Sequence, residues 1–134
     1  MKKLFVPYEL ALLAKEKGFD EECIAEYFDK RLTFYHNLDD KEEDDMTSEC
    51  DTIICYKNST PNHFDKELTV CVPLYQQLVD WFRERYNLTI EVSEWDKKFT
   101  GKVKPSGKSV KIQINNCEYY EALTTALTES FKLI

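Results

Sequence analysis

The chain has 134 residues, of which 43% are apolar, so it can form one hydrophobic core but not two ordinary domains. No apolar run approaches the about 20 residues of a transmembrane helix, and the apolar part of the amino terminus is too short for a secretory signal. Five cysteines without a C-x-x-C pair and two histidines argue against a disulfide framework and a zinc site. We therefore expect a single-domain cytoplasmic protein with no metal, no other cofactor and no membrane partner.

The acidic residues are concentrated in one segment, residues 39–51. This segment contains eight acids and one lysine, a net charge of −7 that equals the charge of the whole chain, so the remaining residues sum to zero. Like charges in such a run repel one another, and we predict a mobile, solvated loop. Calcium binding is not expected, because the segment lacks the glycine and the ligand spacing of an EF-hand. A functional alternative is mimicry of nucleic-acid charge against a basic partner.

The amino-terminal segment predicts one helix followed by an ambiguous region. Leu4 to Lys17 is the predicted helix, with Pro7 in its first turn and Gly18 at its end. Residues 20–35 fit either a helix that begins at an Asp20 N-cap or two short strands joined at Asp29-Lys30. Two further short strands are predicted at Ile53–Tyr56 and Leu68–Val72.

The segment from Pro73 to Asn87 predicts an amphipathic helix. On a helical projection its apolar side chains cover an arc of roughly 160°: these are Leu74, Tyr75, Leu78, Val79, Trp81, Phe82 and Tyr86. Arg85 also projects into this arc. It can snorkel outward and interact favourably with the helix dipole; the alternative is an anion clamp formed by Arg85 beside Trp81.

The carboxy-terminal part predicts a hairpin and a helix. Leu88 to Val92 and Val110 to Ile114 alternate as strands, and the long connection between them gives an extended hairpin tip at residues 96–109. Asn115 or Asn116 is expected to cap a final helix, whose packing face is predicted to contain Ala122, Leu123, Ala126, Leu127 and Ile134. The order of elements predicts an α+β domain, with about three helices packed on a mainly antiparallel sheet of two hairpins plus a short strand.

The predicted hairpin tip is rich in lysine. No acid occurs between Asp96 and Glu118, whereas lysine occurs repeatedly, at Lys97, Lys98, Lys102, Lys104, Lys108 and Lys111. Such a tip can bind nucleic-acid phosphate or a small anionic ligand, with Phe99 or Trp95 available to stack. The favoured interpretation is nevertheless a solvated tip that protects the edge of the hairpin or contacts the acidic loop.

Two enzymatic hypotheses are weak. The run Gly101 to Ser109 ends like a phosphate-binding loop, but it has five residues instead of four before the Gly-Lys pair and leads into a strand instead of a helix. A cysteine nucleophile, Cys50 or Cys55 with His36 or His63, has no orienting group or oxyanion site nearby in the sequence. We assign no catalytic residue and expect a protein that is not an enzyme.

Three segments resemble a known family: K-E-K-G-F-D-E-E-C-I-A-E-Y-F, V-P-L-Y-Q-Q-L-V-D-W-F-R-E-R-Y-N-L and E-Y-Y-E-A-L-T-T-A-L-T-E-S-F-K-L-I. They are similar to "GFDEPC", "APLYQQ…WFREKYN" and "YEEAL" in small proteins of Bacteroides-type bacteria, their phages and prophages. The resemblance omits the acidic loop and the hairpin tip. It implies that Cys23 to Tyr35 forms a hairpin, although Glu22 replaces the usual proline and the turn has no glycine. No activity or catalytic residue is assigned to that family.

The resemblance implies an accessory gene of a phage or mobile element, expressed in the bacterial cytoplasm. The leading hypothesis is therefore a non-catalytic interaction protein that binds a host or phage macromolecule. An alternative is a protein that sequesters a small anionic ligand, such as a nucleotide signal of host defence, and a third is an undetected enzyme. A protein partner or an anionic ligand is expected, nucleic acid is not favoured, and the edge of the sheet would suit a homodimer. The candidate binding residues are Arg85, Trp81, Lys97, Lys98, Lys102, Lys104, Lys108 and Phe99.

Overall fold

Helices pack on two three-stranded antiparallel sheets in the described part of the chain, which gives an α+β fold. The computed structural model describes residues 2–34, 55–63, 65–108, 112–116 and 118–134. A short 3-10 helix at Lys2–Leu4 precedes α1 (Tyr8–Glu16), α2 (Tyr75–Tyr86) and α3 (Tyr119–Phe131). The strands are β1 (Ala25–Phe28), β2 (Arg31–Phe34), β3 (Thr69–Cys71), β4 (Leu88–Trp95), β5 (Lys98–Pro105) and β6 (Ile112–Asn116). Their orders are β2-β1-β3 and β4-β5-β6, which confirms the predicted fold class.

Helix α1 lies where the sequence predicts it, although it begins after Pro7. Pro7 occupies the N-cap position, and Gly18 takes a φ of 86° just beyond the helix end. That left-handed conformation costs glycine little, which explains why the helix stops there. Leu10, Ala11 and Ala14 are buried and hold the helix against the core.

The first hairpin resolves the ambiguity of residues 20–35 in favour of strands. β1 pairs with β2, and the two residues between them, Asp29 and Lys30, have φ values of 47° and 61°. Positive φ at both central residues is the geometry of a type I′ turn, whose twist matches that of the flanking strands. Asp20 is not a helix cap, because its carboxylate instead accepts hydrogen bonds from the backbone and hydroxyl of Ser59 at 2.7 Å.

The predicted strands before α2 are only partly present. β3 confirms the prediction for Leu68–Val72, and it is buried against β1. Of Ile53–Tyr56, the first two residues lie outside the described part of the chain, and Tyr56 forms an isolated bridge with Cys23. The predicted acidic loop at residues 39–51 also lies outside the described residues, as do His36, Cys50 and Lys111.

Helix α2 confirms the projected apolar arc. Tyr75, Leu78, Val79, Trp81 and Phe82 are buried, and Leu74 and Tyr86 pack against them. The helix ends at Asn87, which takes the predicted positive φ, 59°. Two of the cysteines, Cys23 and Cys71, are buried in the core beside this helix and the first sheet. Burial raises the pKa of the Cys23 thiol well above its ordinary value, so this thiol is a packing group and a poor nucleophile.

The second sheet corrects the prediction of a long connection with a basic tip. β4 and β5 are joined by a tight turn at Asp96-Lys97, with φ values of 51° and 59°, and β5 is the central strand of the sheet. In β5, lysine and threonine occupy one face, and Phe99, Gly101 and Val103 occupy the face toward the helices. The sequence does not predict a strand from this alternation, because the segment is rich in lysine.

Helix α3 covers the inner face of this second sheet. It begins at Tyr119 with Glu118 at the N-cap position, so the prediction that Asn115 or Asn116 caps it is wrong; both belong to β6. The predicted packing face is confirmed by the burial of Ala122, Leu123, Ala126 and Leu127, whereas Ile134 lies beyond the helix end.

Gly101 marks the closest approach of β5 to α3, and its replacement by alanine is expected to destabilise the fold. A Cβ at Gly101 would lie 2.8 Å from the backbone oxygen of Ala122 and 3.1 Å from Cβ of Ala126. Since a helix carbonyl cannot turn aside, we expect Gly101→Ala to lower the free energy of unfolding by about 1–3 kcal/mol in urea titrations. Lys102→Ala, one residue along on the other face, should change it by less than about 0.5 kcal/mol. Equal effects of the two variants would contradict this packing.

Candidate functional site

The candidate site is the face of the β4-β5-β6 sheet that points away from α2 and α3, called the outer face below. Strand pairing places Trp95 opposite Lys98, Ser93 opposite Thr100, and Glu91 opposite Lys102. On the other side of β5, Thr100 pairs with Asn115 and Lys102 with Gln113. Because alternate residues of a strand share a face, the outer face contains Thr89, Glu91, Ser93, Trp95, Lys98, Thr100, Lys102, Lys104, Gln113 and Asn115.

Trp95 is the most exposed large apolar side chain described in the structure. It is 84% exposed at the carboxyl end of β4, immediately before the tight turn. An indole held in water contributes little to folding, and an exposed aromatic among polar groups marks an interaction surface more often than a packing surface. The sequence named Trp95 only as a stacking alternative to Phe99, and its position on the outer face follows from the strand register.

The outer face carries more positive than negative charge. Lys98, Lys102 and Lys104 all belong to it, and Lys104 donates a hydrogen bond to Glu91 at 2.9 Å. At the middle of the sheet the Thr100 hydroxyl donates to the Asn115 side-chain oxygen at 3.0 Å. A shallow depression of about 560 Å³ covers much of the face, lined by Ser93, Glu94, Trp95, Lys98, Thr100, Lys102, Gln113 and Asn115.

The remaining predicted residues of the basic segment lie around this face or behind it. Lys97 lies in the tight turn before β5 and Lys108 in the turn after it, and both are exposed. Phe99 points inward, where its ring meets that of Tyr119 edge-to-face at 5.9 Å. The strand pleat turns Phe99 toward α3, so this predicted binding residue does not share the outer face with the lysines.

Arg85 and Trp81 lie at a different place and do not join the lysines. They border a separate cavity of about 410 Å³, together with Gly18, Asp20, Glu21 and Glu84. Trp81 is only 3% exposed, and its ring contacts those of Phe19, Phe82, Tyr86 and Phe131. The packing of Trp81 in the core leaves little of its surface for the ligand contact that the sequence predicts. Three carboxylates around one guanidinium favour a cation over an anion, so this geometry gives the anion clamp no support.

Glu21 in this cavity provides a pH-dependent test of its negative field. Burial, and then the charges of Glu84 and Asp80, raise the pKa of Glu21 above its ordinary value. Because the folded pKa exceeds the unfolded one, the associated stability is present at acid pH and is lost as pH rises through the folded pKa. Glu21→Gln should thus stabilise the protein at pH 7, by less than about 1 kcal/mol, and make no difference at pH 3.5. Urea titrations at both pH values measure this difference. An equal change in the free energy of unfolding at pH 7 and at pH 3.5 would contradict the prediction.

His63 and Glu26 form a contact between a fully buried carboxyl group and a partly buried imidazole ring. The Glu26 carboxylate, 0% exposed within β1, contacts Nδ1 of His63, whose side chain is 33% exposed. The His63 ring stacks on Phe28 with centroids 4.0 Å apart. A carboxylate-oriented histidine is part of a nucleophilic site, but Cys55, the predicted partner of His63, makes no hydrogen bond to it. The contact between His63 and Glu26 joins the segment before β3 to the β2-β1-β3 sheet.

Comparisons with known proteins give no function for the outer face or for the cavities. No protein-family model, no curated protein and no solved structure matches the chain. None of the helices in the described ranges is long and apolar enough to cross a membrane. Within the same ranges, no group of three or more histidine, cysteine, aspartate or glutamate side chains is placed to hold a metal ion.

Proposed function

We propose that this protein is a non-catalytic interaction protein of the phage or prophage type. It acts in the cytoplasm of its bacterial host and binds a host or phage macromolecule through the outer face of the second sheet. The observation that carries the proposal is Trp95, 84% exposed and directly opposite Lys98 in the strand register. The sequence resemblance supplies the biological setting.

The groups on the outer face are suited to binding. Lysine ammonium groups, an indole, hydroxyls and amides supply charge, stacking and hydrogen bonds to a partner surface, and one face of a three-stranded sheet presents them side by side. The second sheet is also held rigidly from behind, since Gly101 brings β5 into close contact with α3. A rigid support keeps the outer face in one arrangement, which lowers the entropic cost of binding.

The alternative of a sequestered nucleotide has less support. Its predicted residues divide between two places, because Arg85 borders one cavity and Lys98 and Lys102 border another. A third cavity, of about 370 Å³, has a volume suited to a small ligand, but its lining is mostly aliphatic and aromatic: Leu4, Leu74, Tyr75, Gln76, Val79, Ile90, Val92, Tyr119, Tyr120 and Leu123. An anionic ligand there would lose hydration without gaining a counter-charge.

Affinity capture with matched variants tests the proposed function. Immobilised wild-type protein is incubated with host lysate, and both retained proteins and retained nucleic acids are identified. We expect a specific macromolecule that the double variant Lys98→Glu/Lys102→Glu no longer retains. The control, Lys2→Glu/Lys3→Glu, carries the same charge change on exposed residues of the 3-10 helix and should retain it. Identical retention by both variants, or no specific retention by the wild type, would refute the proposal.

A further inference from the structure

We propose that the outer face binds single-stranded nucleic acid. Lys98 and Lys102 contact the phosphate backbone, and the Trp95 indole stacks on an unpaired base. This inference rests on the proposed function and names the class of macromolecule. It departs from the sequence-based expectation, which disfavoured nucleic acid, because the structure replaces a solvated tip with the central strand of a sheet and places an exposed indole on the neighbouring strand.

The lysines form a row that a nucleic-acid backbone can follow. Lys98, Lys102 and Lys104 belong to one face of β5, and a strand rises about 3.3 Å per residue, so about 13 Å separates the first two along the strand. The ion pair between Lys104 and Glu91 leaves Lys98 and Lys102 as the cations without an ion-pair partner among the described residues of the outer face. Lys97 and Lys108 extend the positive charge to the two ends of β5.

Trp95 supplies the contact that distinguishes a single strand from other polyanions. Bases in a single strand present their π faces, and stacking on an aromatic side chain is largely independent of sequence. In a duplex those faces are covered, and an acidic peptide offers no flat ring for the indole. Because Trp95 lies directly opposite Lys98, one nucleotide can place its base on the indole and its phosphate near the ammonium group.

Neutral polar groups occupy the middle of the outer face, between the indole and the far lysines. Ser93 and Thr100 offer hydroxyls, and Gln113 and Asn115 offer side-chain amides that are exposed on β6. These groups can hydrogen-bond to sugars or to base edges as donors and acceptors. Their arrangement predicts binding with little sequence preference, because no buried and fixed donor pattern reads a particular base.

Fluorescence anisotropy with a labelled 15-nucleotide oligothymidine tests the inference. We expect saturable binding that weakens about 7-fold between 50 and 200 mM salt, as two phosphate contacts on a single strand predict. Trp95→Ala should weaken binding by about 5- to 150-fold, the range of one base-aromatic stack, and Trp95→Phe by less. The double variant Lys98→Glu/Lys102→Glu should bind weakly with a reduced salt dependence, and Lys2→Glu/Lys3→Glu should bind like the wild type.

Competition separates the partner classes. Unlabelled single strands should displace the label at a far lower concentration than a duplex of equal length or polyglutamate. Equal competition by polyglutamate, an unchanged affinity of Trp95→Ala, or no binding at 50 mM salt would overturn the inference. Such a failure leaves the proposed function standing if lysate capture still depends on Lys98 and Lys102, so the two proposals can fail separately.

Discussion

Trp81→Ala is expected to lower the free energy of unfolding by about 3–5 kcal/mol, the cost of removing a large aromatic side chain from a packed core. Trp81 is 3% exposed and touches four other aromatic rings, from Phe19 near α1 to Phe131 at the end of α3. Its loss therefore loosens the contacts between elements that are distant in sequence. Since domains are stable by only about 5–15 kcal/mol, the variant should unfold at a much lower urea concentration.

Trp95→Ala is the matched control, because it removes the same side chain from the opposite environment. With 84% of the residue exposed, its replacement should change the free energy of unfolding by less than about 0.5 kcal/mol while it weakens binding at the outer face. Circular dichroism during urea titration measures both variants without relying on tryptophan emission. Similar destabilisation by the two replacements would contradict the assignment of Trp81 to the core and Trp95 to the surface.

His63→Ala is also expected to have a large effect and to lower the free energy of unfolding by about 3 kcal/mol. It removes one partner from the fully buried Glu26 carboxylate, and breaking a buried pair from one side leaves a charge poorly compensated. We expect a destabilisation at the lower end of the usual range for a broken buried pair, since the His63 side chain is 33% exposed and Glu26 has a further interaction. Urea titration at pH 7 measures the change.

Two companion variants separate charge from stacking. Glu26→Gln keeps the shape of the side chain without a buried charge, so it should cost only about 1 kcal/mol, the value of a typical hydrogen bond. His63→Phe keeps a ring on Phe28 but cannot pair with the carboxylate, and it should be about as destabilising as His63→Ala. If His63→Phe has wild-type stability, ring stacking on Phe28 and not the contact with Glu26 holds this segment to β1.

The two hairpin turns show how far local sequence could predict the fold. Both turns are Asp-Lys pairs with positive φ, at Asp29-Lys30 and Asp96-Lys97, each preceded by an aromatic residue. The sequence predicts the first as a possible turn, because apolar and polar residues alternate on both sides of it. It does not predict the second, although the same dipeptide is present there. Lysine occupies three of the four outward positions of β5, and so lysine-rich a segment is typical of a solvated loop when the partner strands are not known.

The candidate site was predictable in composition but not in geometry. The sequence identified the lysines of β5, and pairing with β4 and β6 places Lys98 and Lys102 on one face of the sheet. It grouped them with Arg85 and Trp81, which border another cavity. It also left Phe99 and Trp95 as equivalent stacking residues, and the pleat separates them, because Phe99 faces Tyr119 while Trp95 faces water.

The sequence by itself determined the local features of this protein: the amphipathic period of α2, the glycine that ends α1, and the left-handed Asn87 at the end of α2. These features depend on side-chain period and backbone preference within a few residues, which a sequence displays directly. Only the tertiary structure decided that Glu26 meets His63 and that Trp95 lies across from Lys98 on an open face. Such contacts depend on strand register and on the packing of distant segments, which local patterns do not specify.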